Sequence, residues 1–323
     1  MAVPPAAVDP ELAVALAAMP RAANGSLMDL SDIPALRKAM AAADQQMAAT
    51  APDDLGVTIE TLHLPRADGT LLEVVLYYAA DGGRARPGLL WFHAGGQVLG
   101  DVRGDDAYNA GLARSLDCVV AAVDYRLAPE TPAPGAADDG YLAYTFLYEH
   151  AAEHRIDPNR IGIAGASGGG APAAATALMI RDSHGPRPRL LSLNYPMLDD
   201  RNETPSSQEI TALGIWDRRE NLLAWSAVLG DRAGAASLDP YCAPGRATDL
   251  SGMPNTFIAA AQLDVFRDED IDFARQLIAA GVAVDLHVYA HAFHAWDRFA
   301  PQSALARAFE HTWHGYLRRH LHE

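Results

Sequence analysis

Residues 161–170 read IGIAGASGGG, an apolar run that leads directly into a glycine-rich turn. The turn contains the pattern Gly-x-Ser-x-Gly with Ser167 at its centre, and a segment of small residues with helical length follows it. A serine on a sharp strand-to-helix turn stands clear of the sheet, and glycines permit the close backbone approach that such a turn forces. The stretch therefore predicts a nucleophilic serine at the carboxyl end of a buried strand.

The same glycines allow a second interpretation, a dinucleotide-binding loop, because Gly168, Gly170 and Ala173 satisfy the pattern G-x-G-x-x-A. That pattern belongs at the start of a helix after the first strand of its unit. Here the match falls inside the predicted helix, Pro172 interrupts it, and the strand is the fourth or fifth of the chain. We therefore favour the serine turn.

Outward from this stretch, short apolar runs recur and helix-length segments mostly separate them. Such runs are typical of parallel strands buried on both faces. An earlier pair of alternating segments, joined by Asp68-Gly69, predicts an antiparallel hairpin with one exposed face. The fold class predicted is α/β, with a mostly parallel central sheet flanked by helices. The hairpin comprises 57–64 and 71–78, the buried strands 88–92, 118–123, 161–164, 190–193, 257–261 and 283–289, and the helices 105–116, 138–153, 170–181, 268–280 and 303–321.

Two segments interrupt the alternation of strands and helices: residues 1–50, which are Ala-rich and helical in pattern, and residues 200–235, which contain Trp216 and Trp225 but no strand-like run. We predict that both form a helical cap over one edge of the sheet; the alternative is peripheral helices without function. The catalytic core then consists of residues 51–199 and 236–323. No repeat or linker divides the chain further, so we expect one domain with a cap.

Composition excludes several classes of function. The chain has 41 acidic and 25 basic side chains, a formal charge of −16, which repels nucleic acid and anionic membranes. Lys38 is the only lysine, and its position in the Ala-rich N-terminal stretch removes Schiff-base, P-loop and Ser-Lys chemistry. Cys118 and Cys242 are too few for a disulfide framework or a four-cysteine zinc site, so we expect both to be inert.

The N-terminal apolar stretch, residues 12–19, lacks the features of a membrane or secretion signal. Asp9 and Glu11 precede it where a signal peptide carries positive charge, and no run reaches the roughly 18 apolar residues of a membrane span. We expect a soluble, cytoplasmic protein without membrane insertion.

A second turn, His93-Ala94-Gly95-Gly96, follows the apolar run that ends at Phe92. Attack of a serine on an acyl carbonyl creates an oxyanion, and preorganised backbone N–H donors stabilise it by several kcal/mol. The amides of Gly95, Gly96 and Gly168 are the candidates for this oxyanion hole. The alternative is an ordinary turn in which His93 packs against the core.

A serine nucleophile needs a base, normally a histidine oriented by a carboxylate. Asp264 follows one apolar run and His294 follows the last predicted strand, so both are expected at the carboxyl edge of the sheet. The chain order Ser167, Asp264, His294 is typical of α/β-hydrolases. Periodicity alone leaves His291 open as the base, and it leaves a group of nearby acids open, although helix capping and solvation explain that group better. The group comprises Asp268, Glu269, Asp270 and Asp272.

A weak zinc motif also occurs, because residues 150–154 fit the pattern H-x-x-E-H with both histidines on one face of a helix. The segment ends a predicted helix, and the sequence nearby offers no obvious third ligand. We predict no metal and no cofactor.

Together these residues resemble the hormone-sensitive-lipase-like branch of the α/β-hydrolases, bacterial family IV carboxylesterases with a helical cap. The resemblance covers most of the chain beyond residue 55. Besides the two turns, three stretches carry it, DYRLAPE at 124–130, IDPNRI at 156–161 and LDVFRDE at 263–269.

The resemblance assigns roles residue by residue. It implies that Gly95 and Gly96 donate to the oxyanion together with Gly168, that Asp264 is the acid, and that the base lies five residues beyond Tyr289, which gives His294. His291 then falls where the family usually has glycine. The chain departs from the family pattern at Ala94, Ala166 and Gly168, where glycine, an acidic residue and alanine are usual.

The implied activity is that of a serine carboxylesterase, which hydrolyses small-molecule esters with short to medium acyl chains through an acyl-enzyme. The resemblance also implies a homodimer. Two alternatives stay open: an amide or lactone hydrolase with the same triad, and a non-catalytic small-molecule binder on the same fold. The plant hormone receptors of that second kind lack the catalytic histidine, whereas His294 is present here.

Overall fold

The computed structural model describes residues 7–22, 24–48, 55–79, 84–213 and 215–323. At its centre lies one eight-stranded sheet. Its strands are β1 (Thr58–Pro65), β2 (Leu71–Tyr78), β3 (Arg86–Phe92), β4 (Val119–Val123), β5 (Ile156–Ala166), β6 (Leu191–Asn194), β7 (Thr256–Leu263) and β8 (Val284–Phe293). They lie side by side in the order β1-β2-β4-β3-β5-β6-β7-β8.

The sheet is parallel from β4 through β8, and only the pairs β1–β2 and β2–β4 are antiparallel. All the apolar runs singled out in the sequence are strands here. Residues that lack polar side chains on either face can be buried between two layers of helices, which is why these runs are continuous rather than alternating. The predicted α/β class and the mostly parallel sheet are confirmed.

The prediction of one exposed face on the hairpin is wrong for β2. Val74 and Leu76 are buried on one face of the strand, and Val75 and Tyr77 are buried on the other. The physical reason is position, because β2 is an internal strand with β1 on one side and β4 on the other. One of its faces packs in the apolar cluster that contains Tyr144 and the other in a second cluster.

The helices cover both faces of the sheet, as expected for parallel strands joined by crossovers. Their bounds are α1 (Pro10–Ala18), α2 (Ile33–Ala48), α3 (Asp106–Leu116), α4 (Gly135–Glu149), α5 (Gly170–Asp182), α6 (Pro205–Glu209), α7 (Arg218–Leu229), α8 (Arg267–Ala279), α9 (Trp296–Phe299) and α10 (Ala304–His322).

The two segments predicted to form a cap are helical and contact each other. Ser26, between α1 and α2, donates a buried hydrogen bond of 2.8 Å to Oε1 of Glu220 on α7. Arg37 on α2 donates to the carbonyl oxygens of Val98 and Ala128, at 2.7 and 2.6 Å. The division into cap and core at residues 50, 199 and 235 stays a prediction, and parts of it, at 1–6, 23, 49–54, 80–83 and 214, lie outside the described residues.

A buried ion pair joins Asp200, the first residue of the second predicted cap segment, to Arg246 of the predicted core. The Arg246 guanidinium donates to both carboxylate oxygens of Asp200, at 2.6 and 2.8 Å, and the Asp200 side chain is fully buried. Oδ2 of Asp200 also accepts from the amide of Gly234 at 2.7 Å. Arg246 therefore supplies the positive charge that balances the buried Asp200 carboxylate.

We predict that Arg246→Met lowers the free energy of unfolding by about 3–5 kcal/mol, because it leaves a buried carboxylate without its counter-charge. Urea denaturation measures the change. The matched control is Arg275→Met, whose partner Asp272 is also exposed, with side chains 70% and 58% accessible. That surface pair should contribute about 1 kcal/mol or less. Equal, small effects of the two substitutions would contradict the prediction.

Candidate active site

The site lies at the carboxyl edge of the sheet. Ser167 directly follows β5, Asp264 follows β7 and His294 follows β8. The neighbouring strands β7 and β8 pair as far as Leu263–Phe293, with a register shift between Ala261 and Leu263, so the next residue of each leaves the sheet beside the other. Parallel pairing thus brings together residues that are far apart in the sequence.

Ser167, His294 and Asp264 form a continuous hydrogen-bonded chain. Oγ of Ser167 lies 2.8 Å from Nε2 of His294, and Nδ1 of His294 lies 2.6 Å from Oδ2 of Asp264. The hydroxyl can donate to Nε2 only when the ring proton is on Nδ1, and that Nδ1–H group donates a hydrogen bond to the Asp264 carboxylate. All three side chains are buried, Asp264 completely. This arrangement activates a serine hydroxyl by general-base catalysis.

The turn at Ser167 is sharp and locally strained. Ser167 has φ +52°, a left-handed conformation that non-glycine residues rarely adopt. The helix α5 starts at once, and the backbones on either side of the serine nearly touch: a Cβ on Gly165 would lie 2.3 Å from the carbonyl oxygen of Gly169. A side chain at either glycine of the pattern, Gly165 or Gly169, would therefore clash with neighbouring backbone atoms.

Aromatic rings hold the imidazole of His294 from two sides. Tyr195 and Phe266 meet it edge-on, with ring centroids 5.1 and 5.2 Å away. The Tyr195 hydroxyl donates to Oδ1 of Asp297 at 2.8 Å, and burial raises the pKa of the Asp297 carboxyl. Sequence reasoning missed these residues, because aromatic residues beside apolar runs are most often core and no spacing marks these as different.

The second turn places Gly95 and Gly96 beside the nucleophile. Both have positive φ, +124° and +61°. Among the described residues no acceptor takes up either amide, although the carbonyl of Gly95 accepts from Val98 and Leu99. Gly168 packs directly against this turn, since a Cβ on it would lie 2.3 Å from the Gly96 nitrogen. The three predicted oxyanion residues are thus adjacent, and their role stays a proposal.

His93 packs against Tyr125 and also lines the cavity in front of Ser167. Its ring stacks on Tyr125 at 4.3 Å, and the Tyr125 hydroxyl donates to the His93 carbonyl at 2.8 Å. This matches the alternative stated for His93 alone, a packing residue at the base of the turn.

The structure separates His291 from His294. His291 is exposed, has φ +64°, and its Nδ1 lies 2.8 Å from the carbonyl oxygen of Ala7. The predicted strand end at Tyr289 is wrong, because β8 continues to Phe293 after a shift in register opposite Ala261 and Leu263. Strand pairing itself, rather than a loop, delivers His294 to the site.

The acids after Asp264 do not contact His294, and capping with solvation explains only some of them. Asp268 pairs with Arg267 and accepts from the Ser206 amide, and Asp272 is exposed. Glu269 and Asp270 are buried, so solvation is wrong for both. Glu269 accepts the amides of Leu198 and Asp199, at 2.7 and 3.1 Å, whereas neither oxygen of Asp270 has a partner among the described residues.

The residues of the zinc motif pair with separate carboxylates. Nδ1 of His150 lies 3.0 Å from Glu153, and Nδ1 of His154 lies 3.2 Å from Glu60. The described residues contain no group of three His, Cys, Asp or Glu side chains that could hold a metal ion. Cys118 and Cys242 are buried free thiols, and burial raises the pKa of Cys118 to about 12.

A cavity of about 380 Å³ opens onto the nucleophile. Ser167, His294 and Gly95 contribute to its wall, and most of the remaining lining is apolar. Trp216 from the second predicted cap segment and Met28 and Met40 from the first also line it. A buried serine–histidine–aspartate chain facing an apolar cavity at the carboxyl edge of this sheet defines an α/β-hydrolase.

Comparison with known proteins agrees. Residues 89–298 match the model of a family described as having the alpha/beta hydrolase fold. The chain is 37% identical over 240 residues to the carboxylesterase NlhH of Mycobacterium tuberculosis, covering 73% of this chain and 74% of that protein. It is 36% identical over 235 residues to the carboxylic ester hydrolase LipN of the same organism, covering 71% of this chain and 62% of LipN.

Among solved structures, a bacterial heroin esterase superposes with a TM-score of 0.91 at 35% identity and 98% coverage of both chains. The chain therefore belongs to the hormone-sensitive-lipase-like family of α/β-hydrolases, as the resemblance of its motifs predicts. Within the described ranges, no helix combines the length and apolarity needed to cross a membrane.

The buried carboxyl of Asp270 makes a prediction about pH. Burial raises its pKa well above 3.8, so the folded protein keeps a proton that the unfolded chain releases. Stability is therefore lost as pH rises from about 4 through the raised pKa, by up to about 1.4 kcal/mol per pH unit. Asparagine does not ionise, so Asp270→Asn lacks this pH dependence. The free energy of unfolding of the variant should therefore increase relative to that of the wild type as the pH rises over that range. Urea denaturation at several pH values measures the difference.

The control is Asp272→Asn on the exposed side of the same helix, which should differ from the wild type by about 1 kcal/mol or less at every pH. Parallel pH curves for wild type and Asp270→Asn would contradict the prediction, because they would show that folding does not raise the pKa of Asp270.

Proposed function

We propose that this protein is a serine carboxylesterase that hydrolyses small esters with short to medium acyl chains through an acyl-enzyme. The observation that carries the proposal is the chain from Ser167 through His294 to Asp264, which opens onto an apolar cavity. Ser167, His294 and Asp264 have different roles in the reaction.

In the first half of the reaction, Oγ of Ser167 attacks the carbonyl carbon of the ester while Nε2 of His294 takes the hydroxyl proton. The carbonyl oxygen becomes an oxyanion, and the amides of Gly95, Gly96 and Gly168 donate to it. His294 then returns the proton to the leaving alkoxide, so that an alcohol departs and the acyl group stays on Ser167.

In the second half, His294 takes a proton from water, whose oxygen attacks the acyl carbon. The second oxyanion uses the same three amides, and its collapse releases the carboxylic acid and returns the proton to Ser167. Asp264 keeps the ring in the tautomer that has Nε2 free and stabilises the imidazolium that forms in both halves.

Substrate size follows from the cavity. Its volume, about 380 Å³, lies near the lower end of the range for small-molecule sites, and its apolar lining suits an alkyl or aryl ester. The relatives named as carboxylesterases support the ester as the bond that is cleaved. A cytoplasmic location stays a prediction from the N-terminal sequence and the lack of a long apolar run. The absence of a nucleic-acid partner stays a prediction from net charge, and a homodimeric assembly stays one from family resemblance.

We predict that Ser167→Ala lowers kcat for p-nitrophenyl esters by about 10³-fold or more, because the nucleophile is lost and only binding and the oxyanion hole remain. The measurement is release of p-nitrophenol from acetyl to dodecanoyl esters. Short and medium chains should react faster than dodecanoyl. The control is Ser183→Ala at the far end of the helix that Ser167 precedes, which should keep wild-type activity.

A parallel panel separates the alternative functions. An aryl amide or a lactone that reacts at least as fast as the esters would move the assignment to that bond. A Ser167→Ala variant that keeps more than about a tenth of the activity would contradict the nucleophile. Binding of esters without turnover would favour a binding protein.

A further inference from the structure

Trp216 lies directly on the turn that carries the proposed oxyanion donors. A Cβ built on Gly96 would lie 2.3 Å from Cη2 and 2.8 Å from Cζ2 of the indole, so the edge of the ring contacts the Gly96 backbone. The side chain is buried, lines the same cavity as Ser167, and its ring centroid is 6.4 Å from that of His294. Trp216 thus connects the second predicted cap segment both to the turn at Gly96 and to the His294 side of the cavity.

Buried hydrogen bonds fix the indole in this position. Nε1 of Trp216 donates to Oδ1 of Asn221 at 3.2 Å, and Nδ2 of Asn221 donates to Oδ1 of Asn202 at 2.7 Å. Both asparagines are buried, Asn221 completely. Because an unpaired buried amide is costly, these bonds strongly favour a single position of the ring.

The turn needs such a contact. Gly95 and Gly96 both have positive φ, and glycine has more backbone freedom than any other residue. Oxyanion stabilisation requires donors that are already in place when the charge develops. Gly168 closes on the Gly96 nitrogen from within the core, and Trp216 lies against the Gly96 α-carbon, so Gly96 has a neighbour on either side.

We propose that Trp216 is a positioning residue through which the cap holds the oxyanion turn. The inference rests on the proposed ester hydrolysis and adds to it a residue that acts through Gly96 rather than on the substrate. A role as cavity wall alone would change substrate binding, whereas a role in positioning changes stabilisation of the oxyanion. The two roles therefore predict different kinetic parameters.

The experiment compares Trp216→Ala, Trp216→Leu and Trp216→Phe on p-nitrophenyl acetate and on an alkyl trifluoromethyl ketone, which forms an oxyanion adduct with a serine nucleophile. Alanine and leucine remove the ring from Gly96, and leucine keeps apolar bulk in case alanine prevents folding. Both should lower kcat about 10- to 100-fold with KM within about threefold, and should weaken the ketone by the same factor as kcat/KM. Phenylalanine keeps an aromatic ring but lacks both the Nε1 donor and the Cη2 and Cζ2 atoms that contact Gly96, so it should recover kcat only in part, to a value between those of leucine and the wild type.

The matched control is Trp225→Phe. Trp225 is buried in the same apolar cluster as Trp216, but it does not line the cavity. It should leave kcat, KM and ketone affinity unchanged.

Three results would overturn the inference: kcat within threefold of the wild type in both Trp216→Ala and Trp216→Leu, a loss confined to KM, or an unchanged ketone affinity. An equal loss of kcat in Trp225→Phe would overturn it as well, since general cap packing would then explain the effect. A wild type that hydrolyses no ester and binds no ketone would refute the proposed function itself, and the inference with it.

Discussion

The site depends on the register of parallel strands. Because Leu263 pairs with Phe293, Asp264 and His294 leave neighbouring strands together, and the 2.6 Å bond between them follows directly from the sheet. Asp264 is fully buried, so it needs this partner and the amide of Phe266, which it also accepts. A one-residue slip of β8 would point the following residues to the opposite face and separate the pair.

Much of this could be predicted from the sequence, because parallel strands and the serine turn leave local marks. Continuous apolar runs mark strands buried on both faces, and the glycines around Ser167 mark a turn in which backbones touch. The predictions that were wrong concern the burial of side chains, which depends on tertiary packing. The alternation of β2 indicates an exposed face, yet helices cover both faces. The acids after Asp264 look solvated, yet Glu269 and Asp270 are buried, because the start of α8 lies against the loop after β6.

The two segments predicted as cap are the part of the site that the sequence predicts least, and they contribute Met28, Met40 and Trp216 to the cavity wall. Residues 200–235 differ from the rest of the sequence only because they lack a strand pattern. No feature of the sequence predicts that Trp216 contacts Gly96. Arg37 of the N-terminal segment donates to the carbonyl of Val98, whose amide donates to the carbonyl of Gly95 in the turn. The second predicted cap segment therefore contacts the proposed oxyanion turn directly, and the first is connected to it through Val98.

Covalent labelling of the nucleophile tests the central claim most directly. The protein is treated with an alkyl fluorophosphonate, from which a serine activated by histidine displaces fluoride, and its peptides are analysed by mass spectrometry. The account predicts a single adduct on Ser167 that forms about 100-fold more slowly, or slower still, in His294→Gln, because the base is lost. Labelling elsewhere, no labelling, or an equal rate in His294→Gln would contradict the assignment of Ser167 and His294 as nucleophile and base.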